Sequence, residues 1–146
     1  MGIHFRRFDE NDRTVFSFGL TLENGRTDCI IDVRDRASQV LIFLSCPSNV
    51  PENKRNLVAE FLTRANYGLI LGNFEMDYSD GQVRYKSAYL YSEVFHQADL
   101  IFSRNFIAAS SMMDKYFPGI MAIIFGRISP QDAISQVENI VNPTIN

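Results

Sequence analysis

Two dipeptides constrain this chain more than any other feature: Asn24-Gly25 and Asp80-Gly81 each interrupt a pair of segments in which apolar and polar residues alternate. Alternation at period two puts every second side chain on one face of a strand. Asn-Gly or Asp-Gly between two such runs is the strongest short-range hairpin signal, because these residues accept the positive φ of a type I′ turn. With Asn24 and Gly25 as the loop, Leu22 faces Thr27, Leu20 faces Cys29, Phe18 faces Ile31 and Phe16 faces Val33, which gathers the apolar residues on one side. With Asp80 and Gly81 as the loop, Tyr78 faces Val83, Met76 faces Tyr85 and Phe74 faces Ser87. On the other side of that hairpin Asp77 faces Arg84 and Glu75 faces Lys86, so charge and hydrophobicity select the same register.

The polar break Arg34-Asp35-Arg36-Ala37 leads into a third strand over 38–46, whose Val40, Ile42 and Leu44 continue the apolar face. Its alternate residues Leu41 and Phe43 are apolar too and project to the opposite face near Ile30 and Val15. This strand is therefore expected to be central, with its second side covered by something. Pro51 opens a helix over 51–66 with Leu57, Val58, Phe61, Leu62 and Ala65 on one stripe. A long helical pattern follows over 97–127, and Pro118-Gly119 is expected to bend or split it. Ser129-Pro-Gln-Asp132 reads as an N-cap, a first-turn proline and an acidic first turn opening a short final helix. The fold class is α+β: an antiparallel sheet of about five strands, a three-strand meander plus a second hairpin, with packed helices. Residues 1–146 are expected to form one domain, with 1–12 as a mobile arm and 140–146 as a fraying tail.

Composition narrows the chemistry. At 146 residues with 46% hydrophobic and 21% charged residues, the chain is long enough to bury a core and is not of disordered type. A net charge of -3 and a pI near 5.3 provide no broad positive field, so nucleic acid is not expected as a partner. The arginines at 6, 7, 13, 34 and 36 alternate with acids and read as ordinary solvated surface. Cys29 and Cys46 are the only cysteines, with no CxxC and no clustered His, so neither a metal site nor a disulfide framework is expected. A reducing, cytoplasmic compartment fits. The first ten residues lack the apolar core of a secretory signal, and the apolar run 117–125 is far short of the roughly 20 residues that a membrane helix needs. No membrane association is expected.

With the first long helix and the second hairpin in view, Glu60-Phe-Leu-Thr-Arg-Ala-Asn-Tyr-Gly-Leu69, Gly72-Asn-Phe-Glu75 and Ser79-Asp-Gly-Gln-Val-Arg-Tyr-Lys86 resemble the YbjN family, also labelled bacterial sensory transduction regulators. Met113-Asp-Lys-Tyr-Phe-Pro118 and Ser129-Pro-Gln-Asp-Ala133 with Glu138 are similar as well. The resemblance covers roughly the last two thirds of the chain. It implies a fold like type III secretion chaperones, a protein that is often dimeric, and a biochemical activity undefined for the family. Members usually open with a helix, whereas here about ten poorly helical residues precede the first strand.

No catalytic, cofactor-binding or metal-binding constellation stands out. His4 and His96 are isolated imidazoles, read as structural or solvent-facing residues. Cys29 falls on the core face and reads as a small hydrophobe, whereas Cys46, ending its strand before Pro47, is expected nearer the surface. Asp77-Tyr-Ser-Asp80-Gly81 has its glycine one position early for a calcium loop and reads as a turn. The family resemblance, together with the surplus apolar surface, implies a non-enzymatic protein-partner-binding or chaperone- or regulator-like domain, a homodimer, with Ile30, Leu41 and Phe43 as the partner or dimer surface. The alternative is a small-ligand or enzymatic pocket walled by Tyr78, Tyr85, Tyr89 and Tyr91, which needs a polar group such as Glu75, Arg84 or His96 to converge there.

Overall fold

A computed structural model of the chain describes residues 4–93 and 97–139. In chain order the elements are β1 (Arg6–Glu10), β2 (Arg13–Thr21), β3 (Arg26–Arg34), β4 (Gln39–Ser45), a short 3-10 turn (Glu52–Lys54), α1 (Arg55–Gly68), β5 (Asn73–Met76), β6 (Val83–Leu90), α2 (Ala98–Phe125) and α3 (Pro130–Asn139). The strands form one six-stranded sheet in the order β1-β2-β3-β4-β6-β5, with every pairing antiparallel. The expected α+β class is observed, with β4 central. The additional strand is β1, which lies inside the segment 1–12 expected to be a mobile arm. Asn11, at φ 42, turns the chain so that Glu10 pairs with Arg13, and the signal was an Asn-Asp turn instead of an Asn-Gly one. The tail 140–146 lies outside the described residues.

Both hairpin registers differ from expectation by two residues. Phe18 pairs with Cys29 and not Ile31, Phe16 with Ile31 and Leu20 with Thr27. Met76 pairs with Val83 and not Tyr85, Phe74 with Tyr85, and Glu75 with Arg84. A two-residue slip keeps every side chain on its own face, so the apolar pattern cannot tell the two registers apart. Tertiary contacts decide. Residues 22–25 form a wider loop, closed by the Leu22 N–H donating to the Gly25 carbonyl at 2.7 Å. The Asn24 N–H donates to Asp114 Oδ1 on α2 at 2.7 Å, and Asn24 Nδ2 donates to the Asp114 carbonyl at 3.2 Å. Gly25 does not take the positive φ of a type I′ turn; its lack of a side chain admits the Phe117 ring instead. In the second loop, residues 77–82, the Asp77 N–H donates to Gln82 O and the Gly81 N–H to Asp77 O, at 2.9 and 2.7 Å. Gly81 does take positive φ, at 80°, and its carbonyl accepts the Val50 N–H at 2.8 Å.

The core lies on one face of the sheet, where Cys29, Ile42, Leu44, Val83 and Tyr85 are fully buried against Val58, Phe61, Met113, Ile120 and Ile123 of the helices. Tyr116 of α2 links the layers, its ring 6.2 Å from Phe61 on α1 and 5.6 Å from Phe74 on β5. Helix α2 is not split: it runs as one element through Pro118. Pro118 has no N–H for the Asp114 carbonyl four residues back, and that carbonyl is the one taken by Asn24. In α3 the expected cap forms, with Ser129 Oγ accepting the Asp132 N–H at 3.0 Å.

The loop geometry predicts unequal glycine sensitivities. A Cβ at Gly81 falls 2.0 Å from the Val50 carbonyl oxygen in addition to the φ penalty, while one at Gly25 falls 2.4 Å from a Phe117 ring carbon that can move. Gly81→Ala is expected to cost about 2–4 kcal/mol and Gly25→Ala about 1–2 kcal/mol. Urea denaturation of the two variants checks the order.

Candidate functional site

The sheet has a second face, and no described helix lies on it. Helix α1, which could have covered it, packs instead on α2, α3 and the β5 side of the core. Strand register places Phe8, Val15, Asp32, Leu41 and Ala88 in one row across this face, and Arg6, Ser17, Ile30, Phe43 and Lys86 in the next. Ile30, Leu41 and Phe43 are thus brought together in the middle of the sheet as the sequence indicated, Ile30 being 37% exposed and the other two half-buried.

Two ion networks flank this apolar centre. Asp32 is fully buried, although its face has no helical cover, because two guanidiniums close over it. Arg13 Nε donates to Asp32 Oδ1 at 2.7 Å, Arg13 Nη2 to Oδ2 at 2.9 Å, and Arg34 Nε to Oδ2 at 3.1 Å. Burial pulls the Asp32 carboxyl upward, but the hydrogen bonds and charges of Arg13 and Arg34 outweigh it and hold the group below its ordinary value. Across the sheet, Glu75 accepts from Arg84 Nε at 2.5 Å and from Lys86 Nζ at 2.7 Å, and is likewise held low against its burial. The Arg84 guanidinium lies 4.5 Å from the centroid of the Phe43 ring. Glu75 was expected to pair with Lys86, and Arg13, Arg34 and Asp32 were expected to be ordinary solvated surface. The correct register reveals the reason they are not: it sets Arg13 directly opposite Arg34, and two like charges so placed require the carboxylate of Asp32 beside them. A register two residues off puts Arg36 opposite Arg13 and hides the network.

The family model of YbjN, described as "putative bacterial sensory transduction regulator", matches residues 1–120. The chain belongs to this family. No curated protein matches it. Among the described residues of this YbjN chain, no helix is long and apolar enough to cross a membrane.

The four tyrosines do not form one wall. Tyr85 is a core residue, its ring 5.0 Å from Phe74 and its hydroxyl donating to the Leu71 carbonyl. Tyr78 is exposed on the hairpin loop, and its hydroxyl donates to Asn56 Oδ1 at 3.2 Å. Only Tyr89 and Tyr91 share a cavity, of about 320 Å³, with Val33, Val40 and Ile101. The Tyr91 hydroxyl donates to Asp35 Oδ1 there at 3.0 Å. Glu75 and Arg84 point to the other face of the sheet and do not converge on it, and His96 lies outside the described residues. Cys46, expected near the surface, is buried, because its N–H donates to the Val83 carbonyl at 2.9 Å and continues the strand pairing inward. Burial pushes the thiols of both Cys29 and Cys46 up to about 12. Asp77 bonds its own turn, accepting the Ser79 N–H at 2.8 Å, and Asp80 does the same from the Gln82 N–H at 2.8 Å.

The Asp32 cluster makes stability depend on pH with a defined sign. A carboxyl lowered in the folded state contributes fully above its unfolded value of about 3.9, and the contribution is lost as pH falls through the lower folded value. Asp32→Asn, which leaves both arginines without their anion, is expected to cost about 1–3 kcal/mol at pH 7. The deficit relative to wild type should shrink as pH falls below about 4. Urea denaturation of both proteins at pH 7 and pH 3 measures it; an equal deficit at both values would place the effect in packing and not in charge.

Proposed function

We propose that this YbjN chain is a non-enzymatic regulatory domain that acts by binding a protein partner, a second copy included, through the uncovered face of its sheet. The observation that carries the reading is the central patch of Ile30, Leu41 and Phe43, held on paired strands between two ion networks, each of one carboxylate with two cations. A partner docking there buries apolar surface while Asp32 and Glu75 keep the cations they already have, and acidic groups at its rim would meet the one excess positive charge of each network. The state of the reactive groups supports a binding role over catalysis. The thiols are protonated near neutrality, and Asp32, Glu75 and Asp77 are held ionised by internal partners and are poorly suited to proton transfer there. The free, buried cysteines fit a reducing, cytoplasmic setting. One observation favours a second reading, a small ligand held in the cavity of Tyr89 and Tyr91, because that cavity is close to ligand-pocket size and mostly apolar.

The test compares Leu41→Glu with Ile107→Glu, the latter on α2 and already 62% exposed. Both variants should stay folded, since neither position is in the buried core. Proteins captured from native lysate by the wild type, then purified and titrated directly, should lose at least about tenfold in affinity for Leu41→Glu and bind Ile107→Glu unchanged. The converse pattern overturns the reading. Loss of binding only in Tyr89→Ala would favour the cavity.

A further inference from the structure

The two edges of the sheet are treated differently by the chain. At β5 the strand is only four residues long, and the Asn66 side chain covers its outer backbone: Asn66 Oδ1 accepts the Phe74 N–H at 2.8 Å and Asn66 Nδ2 donates to the Phe74 carbonyl at 3.0 Å. At β1 nothing comparable is present among the described residues. All five of its residues are exposed, and its one extensive contact is with β2. Proteins protect such an edge by keeping it short, by charged side chains, by a bulge or by a proline. Beyond its five-residue length β1 is protected by charge alone, with two cations and two anions that repel an arbitrary strand and match their own reversed order.

The backbone polarity of that edge can be read from the neighbouring strands. Leu22 donates its N–H to Gly25 O, so even-numbered residues of β2 direct their hydrogen bonds toward β3. Odd-numbered ones then face β1, where Arg13, Val15 and Ser17 pair with Glu10, Phe8 and Arg6. By the same alternation the N–H and C=O groups of Arg7 and Asp9 point off the sheet. The side chains supply a matching code. Arg6-Arg7-Phe8-Asp9-Glu10 is a charge palindrome: laid antiparallel on itself about Phe8, it sets Arg6 opposite Glu10, Arg7 opposite Asp9 and Phe8 opposite Phe8. In that register Arg7 and Asp9 form the hydrogen-bonded pairs, and Phe8 forms the closer, non-hydrogen-bonded pair at the axis.

We propose that β1 is a self-recognition edge, pairing antiparallel with β1 of a second copy about a twofold axis at Phe8 and continuing the six-stranded sheet into its mate. The partner is a second copy because an arbitrary strand would not present the reverse charge order. The Arg7–Asp9 ion pair now made within the strand, at 3.0 Å and largely exposed, joins a four-charge cluster of alternating sign in the pair. Asp9 also accepts from Thr14 Oγ1 at 2.9 Å, which holds its carboxylate on that face. The interface is short, so the association is weak and salt-sensitive. It is independent of the partner reading for the uncovered face. It leaves Ile30, Leu41 and Phe43 free and puts two such faces on one continuous sheet.

Charge exchange tests this. The wild type, of 16.7 kDa, is expected to sediment toward twice that mass at roughly 100 µM and low salt. The double variant Arg6→Glu/Arg7→Glu and the double variant Asp9→Arg/Glu10→Arg should each be monomeric, with self-affinity reduced at least about tenfold by like charges set opposite. An equimolar mixture of the two should regain the dimer mass, since each then meets the opposite charges of the other. Asp9→Pro, which removes an N–H that points off the sheet, should also be monomeric with an unchanged circular dichroism spectrum. A wild type that stays at monomer mass overturns the proposal. So does a dimer that survives in either double variant or in Asp9→Pro, or a mixture that fails to associate. Phe43→Glu should leave the dimer intact; its loss in that variant alone would move the contact to the open face.

Discussion

Helix α2 against strands β4 and β6 is the contact on which the other elements depend, because α2 is the longest helix described and lies across two interior strands of the sheet. Its buried residues Met113, Tyr116, Ile120 and Ile123 face Ile42, Leu44 and Tyr85, and fully burying a side chain of this kind contributes about 1.5–3 kcal/mol. Helices α1 and α3 then complete the same layer instead of forming a second one, with Phe61 of α1 against Tyr116 and the Tyr116 hydroxyl donating to Glu138 of α3 at 3.1 Å. A layer built on α2 in this way leaves the reverse of the sheet without helices. The open face is thus a consequence of where the helices dock, and its apolar centre must be held by strands and ion pairs alone.

Proline at 118 shows how one local conflict is resolved by a distant loop. A proline inside a helix removes a donor and usually ends or kinks the element. Here the orphaned carbonyl of Asp114 becomes an acceptor for the Asn24 side chain, while the carboxylate of the same Asp114 takes the Asn24 backbone N–H. Phe117, the residue before the proline, fills the space that Gly25 leaves. The first hairpin loop and the middle of α2 therefore specify each other, and the helix stays whole because the hairpin reaches it.

That coupling also explains what was legible in the sequence. Strand faces, the helix positions, the Ser129 cap and the centrality of β4 all follow from period and propensity, which are local. Both registers were off by two residues for one reason: face alternation has period two and is blind to a slip of two, while turn preference for Asn-Gly and Asp-Gly is worth less than docking the loops on α2 and on Val50. The charges could have corrected the second hairpin only in part, since Glu75 reaches both Arg84 and Lys86 and satisfies either alignment. The site was legible at Ile30, Leu41 and Phe43, because apolar residues on both faces of one strand need no register to be noticed. Asp32 was not legible, because its burial depends on Arg13 and Arg34 lying opposite each other. The tyrosines share a face on paper, yet Tyr85 sits under the helices, Tyr78 falls in the six-residue loop that the true register opens, and Tyr89 and Tyr91 lie at the far end.

The open face and the free edge follow one rule of charge placement. On the face, Asp32 is matched within the chain by Arg13 and Arg34, and Glu75 by Arg84 and Lys86, so each cluster keeps one positive charge in excess. The apolar centre at Ile30, Leu41 and Phe43 therefore lies between two clusters of net positive charge. On the edge, the charges of β1 are exposed and ordered by sign along the strand, which makes a strong demand on a visitor, namely the same order reversed. In this chain the face and the edge lie on adjoining parts of the same sheet, with Phe8 belonging to the edge strand and to the row that runs through Val15 and Leu41.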